Sequence, residues 1–147
     1  MADLTVDYNY VDANRNRVAL KLTNAEVAFK GSLIGLSVTT GYAVSWADTA
    51  ALEFMGIATT GVTGDTSATP PKEVEVDCTG VIIKRINVTG TSAITHVGDL
   101  VYASTDNPAD FTLTGTANTD PIAIVTRWYS SATCDVMLLT PAEHRFI

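Results

Sequence analysis

Apolar and polar positions in this chain change places in short bursts, cut apart by turn residues. Val18, Leu20 and Leu22 alternate with Ala19, Lys21 and Thr23, the period of two expected of a strand. Ile34 to Val38 and Tyr42 to Trp46 are apolar runs joined by Thr39-Thr40-Gly41, which predicts a hairpin. Asp48 is placed to cap one helical turn through Leu52. Leu52 to Thr59 then reads as a strand with Gly56 as a bulge or point of close approach. Thr60 to Pro71 is a low-complexity stretch expected as an exposed, mobile loop. In Glu73-Val74-Glu75-Val76-Asp77, valine alternates with acid, so one face is buried and the other wet. Gly80 opens a strand from Val81 to Val88, and Gly90 to Thr95 turns the chain. Four β-rich runs follow: Val97–Ser104, Phe111–Thr114, Pro121–Trp128 and Cys134–Leu139. Nine or ten short strands with no intervening helices predict an all-β fold, a small β-sandwich or barrel-like domain.

Composition agrees. The 147 residues suit one domain, large enough to bury about 70% of its unfolded surface. A 46% hydrophobic and 17% charged chain supports a packed core and excludes wholesale disorder. Threonine and valine dominate the β-branched residues, which suit a pleated, half-buried surface.

Charge divides the chain into two parts. Up to Lys30, Arg15, Arg17, Lys21 and Lys30 balance Asp3, Asp7, Asp12 and Glu26, so the rest carries the whole formal charge of −7. Residues 1–25 are expected to form an extended N-terminal arm, with Tyr8, Tyr10 and Val11 as apolar points on a polar segment. Residues 26–147 make the β-rich domain. The acidic balance speaks against nucleic acid as a partner, since neutralising phosphates needs a basic surface. No apolar run reaches the roughly 18 residues of a membrane span, and Met1-Ala2-Asp3-Leu4-Thr5 lacks the pattern of a secretory signal. Synthesis in a cytoplasm is therefore expected, with Cys78 and Cys134 as buried thiols.

Candidate chemistry is sparse. There are two histidines: His96 stands beside Asp99 at a turn, and His144 lies in Glu143-His144-Arg145, where a solvated ring is expected. Neither offers the local His and Cys spacing of a zinc site. No Gly-x-Ser-x-Gly elbow or His-Glu-x-x-His occurs, and nothing brings Cys78 to a histidine. Glu73, Glu75 and Asp77 share a strand face that could hold calcium, but without a loop of ligands a solvated face is the better reading. Asn87-Val88-Thr89 matches a glycosylation sequon by chance in a chain expected to stay in a cytoplasm. Trp46 and Trp128 read as core or subunit-interface aromatics. No catalytic residue, metal or cofactor is expected.

The order of features from Val18 to Pro141 resembles the capsid decoration (cement) proteins of tailed phages. The matching pieces are Phe29-Lys30-Gly31, Phe54-Met55-Gly56-Ile57-Ala58 and the Gly80-Val81 strand after an acidic alternation. Val97-Gly98-Asp99-Leu100-Val101-Tyr102-Ala103-Ser104 follows, and a closing pair is built on Pro121-Ile122-Ala123-Ile124-Val125 and Asp135-Val136-Met137-Leu138-Leu139. Ala123 stands where similar sequences usually carry Gly, and the leader is longer and more polar than in many relatives. The resemblance implies a homotrimer on the outer capsid surface of the virion, clamping adjacent major capsid subunits, with no enzymatic activity. Candidate residues for contact with capsid or a neighbouring subunit are Tyr8, Tyr10, Val11, Arg15 and Arg17 in the leader and Phe54, Tyr102 and Trp128 in the body. Two other readings compete: a carbohydrate- or receptor-binding virion β-domain such as a head-fibre base, and a small trimeric β-sheet enzyme. The first would need an exposed Trp46 or Trp128; the second would need His, Asp and Ser, or a metal, to converge in one cleft.

Overall fold

The computed structural model describes residues 17–47, 49, 51–115 and 120–145. The strands are β1 (Arg17–Lys21), β2 (Val27–Ala28), β3 (Leu33–Ser37), β4 (Ala43–Ser45), β5 (Leu52–Ala58), β6 (Val62–Thr63), β7 (Glu73–Asp77), β8 (Ile82–Asn87), β9 (Leu100–Val101), β10 (Ala123–Ser130) and β11 (Thr133–Leu138). Two 3₁₀ turns (Ile94–His96 and Pro108–Asp110) and a helix α1 (Pro141–Arg145) complete the elements of the described residues. The fold is all-β, as the alternation predicts.

The strands form a five-stranded sheet β1-β7-β5-β3-β4, a four-stranded sheet β8-β11-β10-β9 and the pair β2-β6. All the strand pairs are antiparallel. One end of the five-stranded sheet curls toward its other edge. Leu22, just after β1, forms a parallel bridge to Ala43 of β4, and the Thr23 N–H donates to the Ala43 carbonyl at 2.9 Å. The strip is thereby drawn toward a small barrel.

Alternation along the five-stranded sheet feeds two cores. Ile34, Ala43, Ala58, Val74 and Val76 point into the barrel interior with Leu22 and Ala28. Leu33, Phe54 and the adjacent Trp46 point the other way, against Val101, Ala123, Val125, Val136 and Leu138 of the four-stranded sheet. A sheet buried on both faces must carry apolar residues on both, and the doublet Leu33-Ile34 is the sequence trace of that.

The hairpin through 39–41 forms as expected: β3 and β4 pair Leu36 with Ala43. Gly56 is the expected bulge. Ile34 pairs with Gly56 but Gly35 with Phe54, so Met55 is extra, and Gly56 takes φ +145°. The expected helical turn at 48–52 falls partly outside the described residues, and Leu52 opens β5. Three expectations are corrected. Val62–Thr63 of the expected loop is strand β6, held because the Gly64 N–H donates to the Glu26 carbonyl at 2.7 Å. Phe111–Thr114 forms no strand of its own; after the 3₁₀ turn only Thr112 bridges, to Thr89 and Tyr102. Of the expected arm, residues 17–25 belong to the body, where β1 pairs with β7 from Arg17–Asp77 to Lys21–Glu73.

Candidate interaction face on the four-stranded sheet

The two faces of the four-stranded sheet follow from its register. Side chains of directly paired residues stand on the same face, and successive residues alternate. Val101, Ala123 and Leu138 form one inward row, and Ile83, Val136 and Val125 the next. The residues between them line up outward. Ile82 pairs with Met137, Met137 with Ile124, and Ile124 with Leu100. One apolar row thus crosses all four strands on the face turned away from the core. Ile82 is 51% and Leu100 36% exposed, and none of the four belongs to either core.

Beside this row the sheet is bulged twice around one residue. Val136 pairs with Ile83 and Cys134 with Ile86, so two residues of β8 oppose Asp135. On the other side Val125 pairs with Val136 and Arg127 with Asp135, leaving Thr126 extra in β10. Bulges free backbone groups from the ladder, and here they meet Asp135. The Arg85 N–H donates to its Oδ1 at 2.9 Å, with Arg85 at φ +53°, and the Thr126 hydroxyl donates to its backbone carbonyl at 3.2 Å. The Tyr129 hydroxyl donates to its Oδ2 at 2.7 Å. Burial pushes the Asp135 carboxyl up, but the Tyr129 and Arg85 hydrogen bonds and the Arg127 and Lys84 charges outweigh it and hold it below the ordinary carboxylate value. The Asp135 bond, then burial, raises the Tyr129 phenol.

The anchored Tyr129 ring organises two guanidinium groups. Arg85 lies 4.2 Å and Arg127 4.9 Å from its centroid, within the range of cation–π attraction. With Lys84 they place three cations around one carboxylate. Among the described residues no ion pair within 4 Å engages these three, whereas Arg17 bonds Glu75 at 2.8 Å. The face therefore has an apolar row flanked by a basic rim, on a chain whose formal charge is −7.

The residues expected at contacts scatter. Tyr8, Tyr10, Val11 and Arg15 lie outside the described residues. Arg17 begins β1 and is spent on Glu75. Phe54 is a correction: it is fully buried, with its ring edge-on to Trp46 at 5.5 Å, and presents no surface to a partner. Tyr102 is half-buried and packs beside Gly115. Trp128 is half-buried against the core, its Nε1 enclosed without a hydrogen-bond partner among the described residues. Trp46 is 3% exposed and its indole N–H donates to the Ala103 carbonyl at 2.7 Å, so it offers no platform to a sugar.

His96 bonds Asp99 at 2.9 Å within the turn, as its position suggests. The solvated His144 expected from its charged neighbours is instead 5% exposed, and its Nδ1 accepts from the Phe54 N–H at 3.3 Å. Its ring sits edge-on to Trp46 because α1 folds back over β5. Cys78 and Cys134 are both free thiols, Cys134 buried and Cys78 only half-buried. Burial, then the neighbouring Asp77 charge, raises the Cys78 thiol, which makes it a poor nucleophile. Among the described residues no group of His, Cys, Asp or Glu is arranged to hold a metal ion, and no helix is long and apolar enough to cross a membrane. No family model, curated protein or solved structure matches this chain.

Proposed function

We propose that this protein is a non-enzymatic structural component of a tailed-phage virion, a cement protein that binds the outer surface of the head as a homotrimer. It is made in the host cytoplasm and clamps adjacent major capsid subunits in the expanded shell. The observation that carries this reading is the outer face of the four-stranded sheet, an apolar row from Ile82 to Leu100, exposed at both ends and half-buried between, beside a rim of Lys84, Arg85 and Arg127. An apolar centre with a charged margin is the anatomy of a protein–protein contact. The family-like segments of the sequence supply the rest. The carbohydrate-binding alternative is disfavoured by the burial of Trp46.

Co-sedimentation tests the proposal. The purified protein, mixed with expanded heads of the phage that encodes it, should pellet with them at saturating stoichiometry. Failure to bind expanded heads at concentrations well above micromolar would remove the reading.

A further inference from the structure

The geometry points to the outer face of the four-stranded sheet as the surface on which one copy of this chain seats a second copy, in a head-to-tail arrangement that closes a ring. This inference rests on the trimeric reading above and names the face that would build the trimer.

Contact here is made on the face, and the edges are poor alternatives. β9 is two residues long, and β8 bends at Arg85, so neither offers a straight ladder for strand addition. The face is better suited. Ile82, Met137, Ile124 and Leu100 give a continuous apolar strip, and the Asp135–Tyr129 network holds Arg85 and Arg127 in fixed places beside it. Guanidinium groups ordered before contact lose less entropy on pairing with a carboxylate.

Charge selects the occupant. The patch holds three bases and one acid, which leaves fifteen acids against six bases over the rest of the chain. The basic rim is therefore complementary to the remaining surface of the same molecule. A two-fold contact about an axis across the strip would set the rim of one copy near the rim of the other and bring like charges together. A heterologous contact sets it against other, net acidic surface of the neighbour, and in the trimeric reading that operation is a three-fold rotation, which closes a ring. Nucleic acid would meet the rim but leave the apolar strip uncovered, and it would be repelled by the acidic body.

The test uses the full chain in light scattering and sedimentation equilibrium. Wild type should associate into a closed oligomer that weakens as salt rises from about 0.05 to about 0.5 M, because rim charges are screened. Ile82→Ser with Leu100→Ser, and separately Lys84→Glu with Arg127→Glu, should each weaken association at least about tenfold while keeping the wild-type far-UV spectrum. Phe29→Ser, at another exposed apolar position (68% exposed), should leave it unchanged. An oligomeric wild type whose face variants remain associated would overturn the face and leave the trimer standing. A monomeric wild type would overturn both. If that monomer binds heads and the same variants abolish binding, capsid protein covers the face, and the self-association proposal is wrong while the cement reading survives.

Discussion

At Gly56 a single missing side chain allows two strands to meet. A Cβ built there would stand 2.1 Å from the Asp77 carbonyl oxygen, and φ is +145°, a region L side chains rarely adopt. Gly56→Ala must therefore push β7 away from β5 as well as strain its own backbone, so a loss of at least about 2 kcal/mol is expected in urea unfolding. Gly41, with positive φ but nothing within 4 Å of a built Cβ, is the control: the same substitution there meets only backbone strain and should cost less. His144 makes a second residue-scale prediction. Burial lowers its pKa below the ordinary 6.5, against the pull of Asp120 and Glu53, which favour the charged form. The unfolded chain then binds a proton at a pH where the folded chain does not. The stability it contributes is complete above about 6.5 and declines as pH falls from there toward the folded value. Melting temperature should drop across that window in wild type, with a shallower drop in His144→Gln; equal slopes would show that other groups carry the pH dependence. The sequence hid this residue because Glu143 and Arg145 flank it, and only the fold-back of α1 onto β5 buries the ring.

Among elements, legibility depended on how cleanly each strand separates its faces. Glu73-Val74-Glu75-Val76-Asp77 keeps strict alternation, and its valines are fully buried while its acids reach outward, as expected. The 33–45 hairpin was equally readable from its glycine turn. The candidate interaction face was not, although its trace is present. Ile82-Ile83, Leu100-Val101, Ile124-Val125 and Met137-Leu138 are adjacent apolar pairs, one member facing the core and the other facing out. Such doublets read as ordinary core strands, since a strand covered on both faces gives the same pattern. Only the register shows that these outer members face away from both cores of the described residues. The bulges flanking Asp135 depend on pairings far apart in sequence and leave no local mark. β1 is the element that tests the arm boundary. Arg17–Lys21 pairs along β7, and Leu22 is fully buried behind it. Deleting residues 1–16 should change unfolding free energy by no more than about 0.5 kcal/mol, the scale of a surface change. Extending the deletion through residue 22 strips β7 of a partner and empties the Leu22 site, and should cost at least about 3 kcal/mol. Similar losses in both truncations would place essential contacts ahead of Arg17.

For the whole molecule, the consequence of the proposed function is a linkage between the protein and the state of the shell. The two large sheets share one core that runs from Leu33 and Phe54 to Val136 and Leu138, so the body is poorly compressible and acts as a unit. A trimer of such bodies offers its capsid contacts at one spacing. Expansion of a head changes the spacing between capsid subunits, so under the proposed function the trimer should fit one form and miss the other. Anything that binds the expanded form preferentially must also stabilise it, by an amount set by the difference in affinity and the ligand concentration. At a free concentration about one hundred times the Kd, one site contributes about 2.7 kcal/mol, and the many sites on a shell act together. Each contact within a trimer can be weak, because the second and third engage at high effective concentration. Single surface substitutions at capsid contacts should therefore weaken binding only mildly, whereas variants that break the trimer should lose it by a hundredfold or more, within the range of about 10² to 10⁴ that avidity supplies. Heating filled heads with and without the protein and recording DNA release reads the linkage directly. The expected result is release at higher temperature with the wild-type protein, and at the undecorated temperature with trimer-breaking variants. Equal affinity for compact and expanded heads, or release unmoved by saturating protein, would leave the clamp without a mechanism even if binding itself were real.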